Sequence, residues 1–177
     1  MLPSISQQIQ SIKTRLEETI LPEVANSSAF VQEQAALILM SLEWILDTHE
    51  HQYRYEVVEN ADYRKLLTDM IKLEAAGSAG ADLVRSIRQV IQEPGPDAQE
   101  ASIPLSAVAE QNRRLKKLAA NLYREFARDH ASKSNPAREM LAQVALRQGD
   151  RELAFFKRTG YTKTPDNIGT ILYDGGD

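Results

Sequence analysis

Cysteine is absent from the chain. That excludes disulfides, thiolate nucleophiles and cysteine-ligated metal, and it suits a reducing compartment. The sequence also lacks a Gly-x-Ser-x-Gly elbow, a Gly-x-x-x-x-Gly-Lys phosphate loop and a Gly-x-Gly-x-x-Gly turn, so neither nucleophile-elbow hydrolysis nor nucleotide-phosphate cradling is written in it. The start, Met-Leu-Pro-Ser-Ile-Ser-Gln-Gln, has no basic segment followed by an apolar one, so a cytoplasmic protein without a secretory signal is expected. No alternating strand pattern occurs. The most apolar run, Ala35 to Leu46, contains Ser41 and Glu43 and is shorter than the roughly 20 residues of a membrane span. It reads as a buried core helix.

What is present is a single domain's worth of helical pattern. A chain of 177 residues, 42% hydrophobic and 26% charged, can bury one core without staples. Ile5, Ile9, Ile12, Leu16 and Ile20 form one helical stripe, which Pro22 is expected to stop. A second helix starts at Ser27 or Ser28 and is apolar on nearly every face from Phe30 to Leu46, which places it at the centre of a bundle. It continues to about Glu59, with a kink or an overhanging end. Asn60 is expected to cap the next helix, with Asp62 in its first turn and Leu66, Leu67, Met70, Ile71 and Leu73 inward.

Gly77 to Gly80 reads as a turn, and Ala81 to Gln92 as a short helix. Residues 93–103 form a Pro-Gly linker. Val108, Asn112, Leu115, Ala119, Leu122 and Phe126 recur at steps of four and three, a coiled-coil-like seam with Asn112 as a polar register marker. A last helix is predicted from Pro136 to Arg158, with a possible interruption at Gly149-Asp150. The expected architecture is thus an all-α, single-domain helical bundle of five or six helices over residues 1–158, with an irregular tail over residues 159–177.

The net charge is −4, but its distribution is uneven. Residues 1–76 sum to −6 and residues 104–163 to +7. Two packed halves of complementary sign explain this most simply; an anion-binding face on Arg113, Lys117, Arg124 and Arg128 is the functional version. Interleaved exposed aromatics for base stacking are missing, so nucleic acid is not an expected partner, and the shortness of the apolar run means that a membrane is not expected either.

Candidate chemistry concentrates on the long helix. Glu43, Asp47 and Glu50, spaced by four and three, share one helix face with His51, a possible small-ligand or divalent-metal site. His49 and His51 lie about 200° apart around a helix, so both reach one metal only if the helix is broken there. No Glu-x-x-His occurs, which excludes the ferritin-like di-metal pattern. A site of His49, His51 and His130 resembles the three-histidine site of small metal-dependent helical bundles, although Ser134 stands where a further His would fall. Glu56, Glu59 and Asp62 resemble half the magnesium site of all-α nucleotide pyrophosphatases, without the companion acidic element. Glu43, inside an apolar run, needs a cationic partner, for which Arg114 and Arg124 are the candidates.

The segment from Ile12 to Pro22, followed by Phe30 to Glu43, resembles the opening of a small helical family of no established activity. Its members accompany aminoglycoside-phosphotransferase-like proteins. The resemblance covers about the first quarter of the chain, carries no site residues, and ends where the His-rich segment departs from the pattern. It implies an accessory role. The functional expectation is an accessory or protein-interaction bundle with a protein partner or a second copy of itself, and no cofactor. The alternative is a bundle that binds a metal or small ligand, with metal-dependent catalysis as its enzymatic form.

Overall fold

Ser4 opens the first helix by a reciprocal capping box: its hydroxyl accepts the Gln7 amide at 3.1 Å, and the Gln7 side chain accepts the Ser4 amide at 2.9 Å. The computed structural model describes residues 2–73, 80–97, 102–129, 131–157 and 167–173. Helix α1 (Ile5–Arg15) runs through a π-helical turn, Leu16–Ile20, into the short α2 (Leu21–Val24). Pro22 therefore does not stop the helix. The wider turn bonds the Leu21 amide to the Leu16 carbonyl, and the chain breaks only after Val24.

The Ser28 hydroxyl caps α3 (Ala29–Thr48). A single 3₁₀ turn, His49–His51, then leads into α4 (Gln52–Leu73). The long helix departs from α geometry at this turn. Thr48 donates to the Trp44 carbonyl at 2.8 Å, a back-bond that favours bending. Helices α5 (Ala81–Gln92), α6 (Leu105–Asp129), α7 (Ala131–Phe155) and α8 (Ile168–Tyr173) follow, and no strand occurs among the described residues. The protein is an all-α helical bundle.

The core lies between α4, α5, α6 and α7. Leu67, Met70, Ile87, Leu115, Leu122 and Phe126 are all at most 1% exposed, and Val108, Asn112 and Ala119 complete a fully buried seam along α6. The four-and-three spacing of that seam is thus its packing face. Polar pairs tie the same helices together. Asn60 donates to Asn112 at 2.7 Å and accepts from Arg64 at 2.6 Å, and Arg64 Nη1 donates to the carbonyls of Val90, Ile91 and Glu93 at the end of α5.

Four expectations need correction. Asn60 caps nothing: α4 runs unbroken through it, and its buried side chain bonds across to α6. Helix α7 begins at Ala131 and carries Pro136 inside it, losing one backbone bond, and it runs through Gly149-Asp150. The described part of the tail is helical and docked, with Ile168 and Leu172 buried against Tyr55, Val58 and Phe155.

The largest difference concerns α3. It lies at the edge of the molecule, where α1 packs along one side of it. Of its residues only Ala35 and Thr48 are buried, while Phe30 is 68% and Ile38 52% exposed. The core is already closed by α4 to α7 and α8, so the most apolar helix is not needed to fill it.

Truncating the seam should therefore cost far more than truncating an exposed leucine. Phe126→Ala should lower stability by about 3–5 kcal/mol, and Leu146→Ala, at 69% exposure, should change it by less than about 0.5 kcal/mol. Chemical denaturation of the two variants measures this.

Candidate functional site

Three places on the molecule carry chemistry or unpartnered surface. The first is the contact of α4 with α6 and α7, where Glu56, Glu59 and Asp62, each three residues on, face inward together. Asn112 Nδ2 donates to the Glu56 carboxylate at 2.7 Å and to the Glu56 carbonyl at 2.8 Å. Glu59, 3% exposed, accepts from Lys116 Nζ at 2.7 Å and from Gln148 Nε2. Asp62 accepts from Arg147 at 3.1 Å and from Arg151. The acidic first half thus meets the basic second half in partly buried pairs, of which Asp62–Arg151 is the most enclosed, and this accounts for part of the charge asymmetry in structural terms.

Burial raises the Glu59 pKa against the opposing pull of Lys116. Burial, reinforced by the Glu59 charge, pushes the Tyr55 phenol up to about 12. Arg151 is 4% exposed, and its Nη1 has no hydrogen-bond partner among the described residues. Every carboxylate of the Glu56, Glu59, Asp62 series is already held by a side-chain donor of the protein. The series works as a helix-to-helix clasp, a role foreshadowed by the three-residue spacing of the acids and the basic excess of the later helices.

Beside the clasp a cavity of about 620 Å³ opens between α4, α6 and the end of α7, lined among others by Tyr55, Glu56, Arg113, Glu152, Phe155 and Phe156. Tyr55 packs edge-on to Phe155 at 5.0 Å. Its hydroxyl donates to Glu152 at 3.4 Å, and Gln148 donates to the same carboxylate at 3.1 Å. Of these lining residues Glu56 and Arg113 are candidates from the sequence, and the aromatic wall of Tyr55, Phe155 and Phe156 is not.

The second place is the 3₁₀ turn. Of the four residues that share a face in an ideal helix, Glu43 and Asp47 precede the turn in α3, and Glu50 and His51 lie within it. Glu43 turns to α1 and pairs with Lys13 at 2.8 Å, so its cation comes neither from Arg114 nor from Arg124, because α3 packs on α1 and not on α6. Glu50 is largely exposed, 3.8 Å from His49. Both ring nitrogens of His49 are engaged, Nε2 with the Ser6 hydroxyl at 3.0 Å and Nδ1 with the Ile45 carbonyl at 3.0 Å.

Asp47 and His51 do come together, lining a cavity of about 370 Å³ with Trp44, Thr48, Lys157 and Asn167. The His51 ring lies against Gly169 and Tyr173 of α8, with Nδ1 buried and unpartnered among the described residues. His130 lies outside the described residues. Among those that are described, no group of three or more His, Asp or Glu side chains is placed to hold a metal.

The basic surface of α6 is exposed as its spacing implies, but much of it is locally paired. Arg113 meets Glu110 at 2.7 Å, Arg124 the Asn121 amide oxygen at 2.9 Å, and Arg128 meets Glu125 at 3.0 Å. Lys117 is exposed as well.

The third place is the outer face of α3. Ala35, Leu39, Leu42 and Leu46 occupy the side of α3 turned to α1. Around the helix from them, Phe30, Val31, Gln34, Leu37, Ile38, Ser41 and Ile45 are all exposed, on a stripe about 120° wide. No charged residue lies on that stripe. At its lower end Trp44 stacks on Phe156 at 5.5 Å and donates to the Phe155 carbonyl at 2.8 Å, which ties α3 to α7.

On the side of the α1–α3 contact away from the Lys13–Glu43 pair, Ile5 and Ile12 extend the apolar surface, at 62% and 55% exposure. The residues missed as a site are those read as core, because a sequence shows that a helix is apolar all round but not how many neighbours it has.

The chain matches no family model, no curated protein and no solved structure.

Glu59 gives the interior a measurable pH signature. A carboxyl whose folded pKa lies above its ordinary 4.5 contributes stability that is full below the ordinary value and is lost as pH rises through the folded value. Wild type should therefore lose stability relative to Glu59→Gln as pH is raised from 4.5 through that window. Melting the two proteins side by side checks it, and a pH-independent difference would contradict the burial of a titrating acid.

Proposed function

We propose that this protein is an accessory, protein-interaction helical bundle, in which a rigid α4–α7 body presents the α1–α3 arm to a protein partner. The observation that carries the reading is the uncharged, exposed face of α3. Isolated exposed leucines are normal, but contiguous apolar patches beyond a few hundred Å² mark interaction surfaces. The resemblance of the first quarter to a family that accompanies other proteins supports the same role, since it covers the segment that forms this arm.

The acids and bases support a scaffold and not a reaction centre. Glu56, Glu59 and Asp62 are used up in holding α4 against α6 and α7. Two of the basic candidates on α6, Arg113 and Arg128, are neutralised by carboxylates one turn away.

A second reading, a bundle that binds a small ligand, is favoured by the cavity of about 620 Å³, a volume that suits a drug-sized molecule. Its wall combines Tyr55, Phe155 and Phe156 with the carboxylates of Glu56 and Glu152, a lining fitted to an organic cation. A divalent metal is the less favoured form of this reading, because the described acids and histidines do not converge.

The interaction reading predicts that a photoreactive residue at Leu37 captures a discrete protein adduct in the cell that makes the protein. The same residue at Lys117, on the basic face of α6, should not. Electrophoresis reads the adduct. Equal labelling from both positions, or none from Leu37, would remove the interaction role of α3.

A further inference from the structure

We infer that the occupant of the α3 face is a second copy of the same chain, bound antiparallel through α3 about a two-fold axis between Leu37 and Ile38. This rests on the interaction reading and gives its partner. Phe30, Val31, Leu37, Ile38 and Ile45, with Ile5 and Ile12, have exposures from 37% to 68%. Five of the seven stand on one helix face along about four turns, and none has a charged neighbour on that face, so the patch is contiguous and not a scatter of single residues. Apolar patches of a few hundred Å² on this scale are often functional, and paired face to face through a two-fold axis they form the central part of an interface.

The order of residues along the stripe is self-complementary, as a two-fold contact requires. Turned end for end about its centre, α3 sets Leu37 against Ile38 of the other copy, Gln34 against Ser41, and Phe30 against Ile45. Large side chains meet large ones, and the two uncharged polar ones meet each other. Ser41 donates its hydroxyl proton to the Leu37 carbonyl at 2.8 Å, which leaves its oxygen free to accept from a Gln34 amide across the axis.

The free length fits as well. The open stripe runs from Phe30 to Ile45, about 22 Å of helix, and below it the body begins at the Trp44–Phe156 stack. A second α3 in this register ends at its own Ser28 cap where that body starts, with its Phe30 delivered next to Ile45.

The charges around the stripe disfavour a membrane as the occupant. Glu33, Glu43 and Asp47 are the charged residues of α3, which holds no Lys or Arg, whereas helices that lie on anionic lipid carry basic residues on their polar side.

The absence of cysteine makes the register directly readable with single introduced thiols. Wild type should sediment at about twice its 19.9 kDa chain mass, and Ile38→Glu should sediment as one chain with its helical circular dichroism retained. Under mild oxidation Ile38→Cys should form a disulfide-linked dimer. Phe30→Cys alone should not, and a mixture of Phe30→Cys with Ile45→Cys should cross-link.

Cross-linking of Phe30→Cys with itself as readily as of Ile38→Cys would overturn the antiparallel register. A wild type of one-chain mass at 100 μM would overturn the dimer. If that monomer still gives an adduct from Leu37, the interaction reading stands with a different protein. If it binds phosphatidylcholine–phosphatidylglycerol vesicles in a manner abolished by Ile38→Glu, both readings fail together.

Discussion

Asn60 donates to Asn112 at 2.7 Å in the buried contact of α4 with α6, and both side chains are 1% exposed. An amide pair in such a place tolerates only one alignment of its helices. A shift by one turn would strand both groups without partners, at about 1–3 kcal/mol for each. The alignment it holds sets Glu56 against the second nitrogen proton of Asn112, Glu59 against Lys116 one turn further along α6, and Asp62 against Arg147 and Arg151 of α7. Arg64 carries the same network to the last carbonyls of α5. The register of four helices therefore descends from one pair, a role attested for buried asparagines in coiled coils.

That network closes the body without α3. The core between α4 and α7 reaches near-zero exposure at Leu67, Met70, Leu115 and Leu122, and α8 seals the flank through Ile168 and Leu172. What remains of the N-terminal region is a pair of helices covered on one side. Helices of 11 and 20 residues are marginal without packing. This arm is held by the Lys13–Glu43 pair, the Ser6–His49 bond and the Trp44–Phe156 stack. Burial of the open α3 stripe is the largest stabilisation still available to it.

Most of the body was legible in the sequence because its signals are local. The steps of four and three from Val108 to Phe126 state the buried side of α6 outright, and the Pro-Gly linker leaves α5 ending at Gln92 as its pattern implies. Asn112 was recognisable as a register residue from its place in the seam. Its partner was not: Asn60 carries the same side chain that caps helices, and only the arrival of α6 tells which of the two uses it has.

The same limit governs the site. Glu43, Asp47, Glu50 and His51 share a face of an ideal helix, but what each one meets is set by the neighbours of α3 and of the 3₁₀ turn: Glu43 pairs with α1, Asp47 and His51 line a cavity, and Glu50 is open to solvent. Such a turn depends on what α3 and α4 each pack against, information that spacing does not hold. The placement of α3 was misleading for a related reason. All-round apolarity reads as burial, but the neighbours that would bury a helix are not written in its own sequence.

The body and the α3 face thus offer two unlike kinds of surface. Inside the body, helices are paired by buried hydrogen bonds and ions, which are costly to misalign and add little net stability. On α3 the stripe has no charge at all, so a proposed second copy there would be attracted by apolar area and aligned by the sizes of Phe30, Leu37, Ile38 and Ile45 and the two polar breaks at Gln34 and Ser41. An interior must exclude alternative folds of one chain, and polar pairs do that. In the proposed dimer the orientation would already be limited by the body at one end, so that shape and the two symmetry-related Gln34–Ser41 pairs would suffice to select a register. The division of labour follows from where each helix lies, and it makes the most apolar segment of the sequence the part of the molecule directed outward.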